Sequence, residues 1–142
     1  MLKIVLDTNV FLSTFIYHGM SKIILELVSK NKIKLYVSYD LKKEVLEKLK
    51  EFGVDKQLAS DAKLFLDTRG IFISPNAEVS ACRDPKDNYI LKLAETCKAD
   101  YIITRDKDLL ELSNKRWKTT RIIKPEGFLI YLRSKKIMAK TS

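Results

Sequence analysis

With 142 residues, 46% of them hydrophobic and 32% charged, the chain has enough apolar side chain for a buried core and a charged surface around it. Two cysteines, Cys82 and Cys97, exclude a disulfide scaffold or a Cys-rich zinc site, and no apolar run approaches the roughly 20 residues needed to cross a bilayer. The net charge of +9 is concentrated: residues 115–142 hold nine Lys or Arg against the single acid Glu126, whereas the 18 basic and 17 acidic side chains before them nearly cancel. Such a cationic flank suits a polyanionic partner, and the expected compartment is the reducing cytoplasm, away from membranes.

Residues 2–6 form a short, branched apolar run that reads as a buried strand; Asp7 interrupts it and no small-residue cleavage site follows, which argues against a signal peptide. Helices are expected over 10–17 and 20–30, broken near His18-Gly19, and a second strand over 33–37. Ser38 is suited to cap a helix over 39–51, with Leu41, Val45, Leu49 and Phe52 at helical spacing and Gly53 ending it. A helix over 54–68 turns Leu58, Ala62, Phe65 and Leu66 inward, and Gly70 precedes a strand over 71–73. The helix over 85–97 carries Ile90, Leu93, Ala94 and Cys97 on one face, which makes Cys97 a packing residue. A strand over 100–103, a short helix over 107–113, a strand over 120–123 and a helix from Pro125 to about 134 complete the pattern. Strands alternating with helices predict an α/β fold with a mainly parallel sheet covered on both faces. With no linker, repeat or low-complexity segment, residues 1–134 read as one domain and 135–142 as a basic tail that frays.

Four acidic sites stand where apolar runs stop. Asp7 follows Ile4-Val5-Leu6 directly; Thr8 and Asn9 could cap the next helix as well as it can, so the carboxylate is more than a cap requires. Glu44 flanks the apolar stripe of its helix, with Lys48 one turn later and Glu47 and Glu51 as rival acids that spacing does not separate. Asp84-Pro85-Lys86-Asp87 has the form of an ordinary helix start, although Asp87 shares a face with Ile90 and Ala94. Of Asp106 and Asp108, after the strand ending Ile102-Ile103-Thr104, Asp106 lies nearer the strand end and is the better ligand candidate. In a parallel sheet such strand ends converge on one edge, and clustered carboxylates there need a cation to neutralise them.

Asp7-Thr8-Asn9-Val10, then Glu44, then Asp84-Pro85-Lys86-Asp87-Asn88 with Ala94 seven residues beyond Asp87, then Thr104-Arg105-Asp106-Lys107-Asp108-Leu109-Leu110 resemble a PIN domain, and most of all the PIN-type toxins of prokaryotic toxin–antitoxin pairs. The resemblance extends over nearly the whole chain, to Lys124-Pro125-Glu126-Gly127-Phe128-Leu129. It implies a three-layer α/β/α sandwich around a five-stranded sheet ordered 3-2-1-4-5. It implies metal-dependent cleavage of RNA, with Asp7, Glu44, Asp87 and Asp106 as the catalytic acids and Asp7, Asp87 and Asp106 as metal ligands. Thr8, Asn9, Asp84, Thr104 and Asp108 are then supporting or second-metal groups, and the products are a 5′-phosphate and a 3′-hydroxyl.

An all-oxygen donor set without His or Cys favours Mg²⁺ or Mn²⁺ over Zn²⁺. A metal-free route is disfavoured, because it needs two proton-transfer groups near neutral pH and the chain has one histidine, His18, which reads as a loop residue. Arg83, Lys86, Arg105 and Lys107 are placed to hold an RNA backbone. Tyr17, Tyr39, Tyr89 and Trp117 could stack on bases, though each is first an ordinary core or rim aromatic. The expected partners are RNA, an antitoxin protein and a second copy of the chain, paired through apolar residues of the helices at 10–30 and 54–68. The alternative reading is a non-catalytic RNA-binding or assembly module with a degenerate site. A receiver or phosphatase is disfavoured because Asp7-Thr8-Asn9 lacks a second acid.

Overall fold

The apolar run at the N-terminus becomes the centre of a sheet. The computed structural model describes residues 1–17, 19, 22–75, 85–112 and 116–135, and of 85–87 and 116 only the backbone. Strand β1 (Lys3–Leu6) pairs in parallel with β2 (Lys34–Val37) on one side and β4 (Tyr101–Ile103) on the other. Ile4, Val5 and Leu6 are all buried, which is why this strand is a continuous apolar run and not an alternating one. Beyond β2 lies β3 (Gly70–Phe72), and beyond β4 lies β6 (Thr120–Ile123), both parallel to their neighbours. The order β3-β2-β1-β4-β6 is the expected 3-2-1-4-5 sheet with helices on both sides.

One strand was not expected. Arg116–Trp117 (β5) pairs antiparallel with β6 across Lys118-Thr119 and extends the sheet to six strands. Lys118 adopts φ 55, a left-handed conformation that hairpin turns usually assign to Gly or Asn. Without either residue, the turn carries no sequence signal.

The helices fall close to their expected bounds: α1 (Thr8–Tyr17), α2 (Lys22–Ser29), α3 (Tyr39–Glu51), α4 (Lys56–Arg69), α5 (Pro85–Cys97), α6 (Lys107–Leu110) and α7 (Pro125–Ser134). Ser38 caps α3 by accepting from the Leu41 N–H at 3.1 Å, and Gly53 follows the helix with φ 64. Asp55 caps α4 through the Leu58 N–H, so that helix begins at 56 and not at 54. Helix α6 stops at Leu110, three residues short of its expected end. At the α4–β3 junction a side chain on Gly70 would meet the Leu66 carbonyl at 2.6 Å and Val37 Cγ2 at 2.7 Å, so only glycine lets the strand enter the sheet there.

Phe11, Phe15 and Phe65 tie α1 to α4, with ring centroids 5.0–6.0 Å apart. The apolar residues of α1 and α2 expected to pair two copies are largely core: Val10, Phe11, Leu12, Ile24, Leu25, Leu27 and Val28 are buried, while Leu64 of α4 is exposed. Little of that apolar surface is therefore left to pair two copies, because the same residues satisfy the core first. Cys97 is buried as expected, and burial pushes its thiol up to about 11. No single described helix is long and apolar enough to cross a membrane.

Candidate functional site

The register of β1 against β4 builds the site. Leu6 pairs with Ile103, so the residues that follow, Asp7 and Thr104, emerge side by side at the carboxyl edge of the sheet. The ladder continues through them: the Asp7 N–H donates to the Ile103 carbonyl at 3.0 Å, and the Thr104 N–H to the Ile123 carbonyl at 2.9 Å. Chain direction diverges here, from β1 outward to β2 on one side and from β4 to β6 on the other. Such a switch point leaves a crevice beyond the strand ends where α/β proteins bind ligands.

Asp7 stands at the entry to α1, where its carbonyl accepts from the Phe11 N–H. Its side chain is 8% exposed and accepts a 2.7 Å hydrogen bond on Oδ2 from the hydroxyl of Thr104, which is itself fully buried. Burial raises the Asp7 pKa above the ordinary carboxylate value. The Thr104 and Thr8 hydrogen bonds and the Lys48 ammonium pull it down, while the Asp106 carboxylate pushes it further up. Two acids close enough to repel, one of them desolvated, form the arrangement that a divalent cation would relieve.

Thr104 links the two. Its Oγ1 donates to Asp7 and accepts from the Asp106 backbone N–H at 3.0 Å. Asp106 then caps α6, with Oδ1 accepting from the Asp108 N–H at 2.8 Å. The cap is thus Asp106 itself, the residue favoured as a ligand, and one oxygen serves the helix while the carboxylate remains within electrostatic reach of Asp7. Asp108 is half-buried on the first turn of α6.

Helix α3 approaches from the α1 side of the sheet. Glu44 is half-buried, whereas Glu47 and Glu51 are exposed, so the fold separates three acids that spacing alone did not. Lys48, whose charge Asp7 feels, is also half-buried and lies one turn beyond Glu44 on the same face of α3. The Lys48 ammonium therefore lies within electrostatic reach of the strand end. By spacing alone Lys48 is only a surface partner to Glu44; its reach to Asp7 depends on the packing of α1 on α3 and left no local signal.

Asp87 falls in the first turn of α5, a helix that packs on β1, β2 and β4, and Ile90, Ala94 and Cys97 of that helix are buried as its periodicity requires. Its side chain and that of Lys86 lie outside the described residues, as do Asp84, Arg83 and His18. Among the described residues no three His, Cys, Asp or Glu side chains gather closely enough to hold a metal ion. The donors that are described at the strand end, Asp7, Asp106 and the Thr104 hydroxyl, are all oxygen, which suits a hard cation.

Of the other candidates, Thr8 is buried with no hydrogen-bond partner for Oγ1, and Asn9 is exposed on the first turn of α1. Arg105 and Lys107 are exposed beside the strand end, and Arg105 forms an ion pair with Glu126. Tyr17 and Tyr39 are largely exposed, Tyr39 resting on Phe72 with centroids 5.0 Å apart, whereas Tyr89 and Trp117 are half-buried.

A family model described as the PIN domain matches residues 3–108. The uncharacterized protein MJ1680 of Methanocaldococcus jannaschii is 35% identical over 120 residues, spanning 80% of this chain and 77% of its own length. Among solved structures, VapBC2 from Rickettsia felis, bound to a DNA fragment from its promoter, superposes with a TM-score of 0.61 at 18% identity, covering 85% of this chain and 97% of the other. At that identity the likeness concerns the fold alone.

Proposed function

The chain belongs to the PIN domain family, and from that premise we propose that it is a metal-dependent endoribonuclease working through the carboxylates at the β1–β4 strand end. One observation carries the reading: Asp7 is a desolvated acid with a raised pKa, held by Thr104 at the switch point with Asp106 beside it. Desolvating a carboxylate next to another is costly, and the arrangement is explained if a divalent cation normally neutralises the pair.

Asp7, Asp106 and Asp87 would hold Mg²⁺ or Mn²⁺, with Glu44 completing the acid set. Bound there, the cation supplies Lewis acidity toward a phosphate oxygen and acidifies water for in-line attack. Thr104 fixes the Asp7 carboxylate through Oδ2 and so orients the other oxygen. Lys48, within electrostatic reach of Asp7, tempers the negative potential into which a phosphodiester must enter. Arg105 and Lys107, exposed beside the site, and Lys86 and Arg83 by their sequence positions, would hold the RNA backbone.

The resemblance to PIN-type toxins and the fold shared with VapBC2 favour a toxin paired with an antitoxin protein. Co-expression with the product of an adjacent reading frame tests this: a stable complex that suppresses cleavage is expected, and free activity in its presence counts against the pairing.

The nuclease reading is tested by mapping 5′-phosphate ends in total RNA after expressing the wild type and Asp7→Asn. New ends should arise with the wild type alone, and the purified protein should cleave in Mg²⁺ or Mn²⁺ but not in EDTA. Cleavage that survives either Asp7→Asn or excess EDTA would overturn it. Salt-sensitive RNA binding with no cleavage under any metal would favour the non-catalytic module instead.

A further inference from the structure

Beside the strand end lies a cleft of about 590 Å³ between the end of α1 and α7, and the acid chemistry makes no use of it. Its walls combine two kinds of group. Tyr17 and Ile130, 77% and 67% exposed, offer an aromatic ring and an aliphatic side chain that the core does not need. Arg105 and Arg133 bring two guanidinium groups against one acid, Glu126. We propose that this cleft is a nucleotide subsite for single-stranded RNA: Tyr17 stacks a base next to the cleaved phosphodiester, and Arg105 and Arg133 take the backbone phosphate beside it.

The inference rests on the ribonuclease reading for its substrate and shares Arg105 with it, while Tyr17, Ile130 and Arg133 stand apart from the residues that reading uses. Continuity sets the register. Arg105 lies between Thr104, which holds Asp7, and Asp106, so a group held by its guanidinium lies within one arginine side-chain length of the acid segment. An aromatic face with guanidinium groups along the path of the chain is how proteins take unpaired nucleotides, because every base has a π-face and every nucleotide a charge. The size falls within the range of sites that enclose a small ligand, roughly 300–1,000 Å³. A purely apolar partner would leave Arg133 without an anion, whereas a nucleotide brings a base for the apolar wall and a phosphate for the guanidinium groups.

The free protein fills the anionic part of the subsite with its own carboxylate. Burial works to raise the Glu126 pKa, but its own backbone N–H and the Arg105 guanidinium outweigh burial and hold it below the ordinary value. Glu126 thus stands where a phosphate oxygen would stand, and RNA entry requires Arg105 to exchange one oxyanion for another. The ion pair is more than half exposed, so the exchange is cheap. Glu126 sets an affinity ceiling that its removal lifts.

The test is equilibrium binding of a fluorescein-labelled eight-nucleotide single-stranded RNA to the full chain in EDTA, read by anisotropy, so that cleavage plays no part. Tyr17→Ala should weaken binding about tenfold, and Tyr17→Phe should restore it, as expected for stacking. Arg133→Ala should weaken it about fivefold and flatten the logarithmic salt dependence by roughly 0.7, the loss of one phosphate contact. Glu126→Gln should tighten it about threefold, while Phe52→Ala, an exposed aromatic at the far end of α3, should change nothing. Wild-type affinity in both Tyr17→Ala and Arg133→Ala overturns the subsite, and does so whether or not Asp7→Asn abolishes cleavage. If those variants instead break a dimer in light scattering while RNA affinity stays constant, the cleft is a protein interface and the proposal falls. Weakened binding in a protein that never cleaves would sink the nuclease reading and leave the subsite standing.

Discussion

The strand-borne and helix-borne members of the proposed acid site are placed with different tolerances. Asp7 and Thr104 leave adjacent parallel strands whose register is locked by backbone hydrogen bonds on both sides, and one buried 2.7 Å bond joins them. Glu44 and Asp87, the acids proposed to complete it, sit on helices placed only by packing, α3 against α1 and α5 against the sheet. A one-residue slip in a strand would move its whole apolar set out of the core, whereas a helix can rotate by part of a turn at little cost. Rigid placement therefore belongs to the strands, and adjustment to the helices.

Four outcomes would sharpen or break that contrast. The largest effect belongs to Thr104→Val, which keeps the shape but removes the hydroxyl. It leaves Asp7 Oδ2 and the half-buried Asp106 N–H without their shared partner, and the buried Asp7 oxygen left unpaired costs about 1–3 kcal/mol. Denaturant unfolding should register a loss in that range, with cleavage falling about a hundredfold, and Thr104→Ser should recover most of both. If Thr104→Val unfolds and cleaves like the wild type, the strand-borne half is not the rigid one.

Next comes the helix-borne half. Glu44→Gln should lower the cleavage rate about tenfold with little change in stability, while Glu47→Gln and Glu51→Gln, both exposed, should stay within twofold. Equal effects for all three would mean that α3 is not fixed in the register described. Lys48→Met should then shift the pH profile of cleavage more than its maximum rate, because it acts through the potential at Asp7.

A third outcome concerns pH in the metal-free protein. The folded pKa of Asp7 is raised, so above that pKa the ionised group disfavours the fold relative to the unfolded chain. The penalty is relieved as pH falls through the folded value and vanishes below the unfolded value near 3.8. In EDTA, Asp7→Asn should therefore melt at or above the wild type at pH 7, and the difference should shrink toward pH 4. Added Mn²⁺ should raise the wild-type melting temperature and leave the variant where it was. A variant less stable than the wild type at pH 7 in EDTA would contradict the assigned cost.

The smallest effect is on Cys97. A buried thiol with its pKa near 11 should resist alkylation at pH 8 in the folded protein and react on unfolding. Labelling of Cys97 at native conditions, measured in a Cys82→Ser background, would show that the inner face of α5 opens easily.

Much of this protein was determined locally. The apolar run at 2–6 reads as a strand buried on both faces, 33–37 and 100–103 read as strands as well, and the caps at Ser38 and Gly53 fixed the ends of α3 because each serves backbone groups within a turn of itself. The alternation of strand and helix required a parallel sheet, and the order of acids along the chain carried the family. Local chemistry could not reveal the β5 hairpin, whose Lys118-Thr119 turn lacks a turn residue. Nor could it choose Glu44 over Glu47 and Glu51, since helical spacing is the same whichever way the helix is rotated. Tertiary structure alone decided three things: that Thr104 bridges Asp7 and Asp106, that Lys48 lies within electrostatic reach of Asp7, and that Glu126 covers Arg105. Each joins segments separated by at least 20 residues, and the pairing exists only once strand register and helix packing bring them to one edge of the sheet.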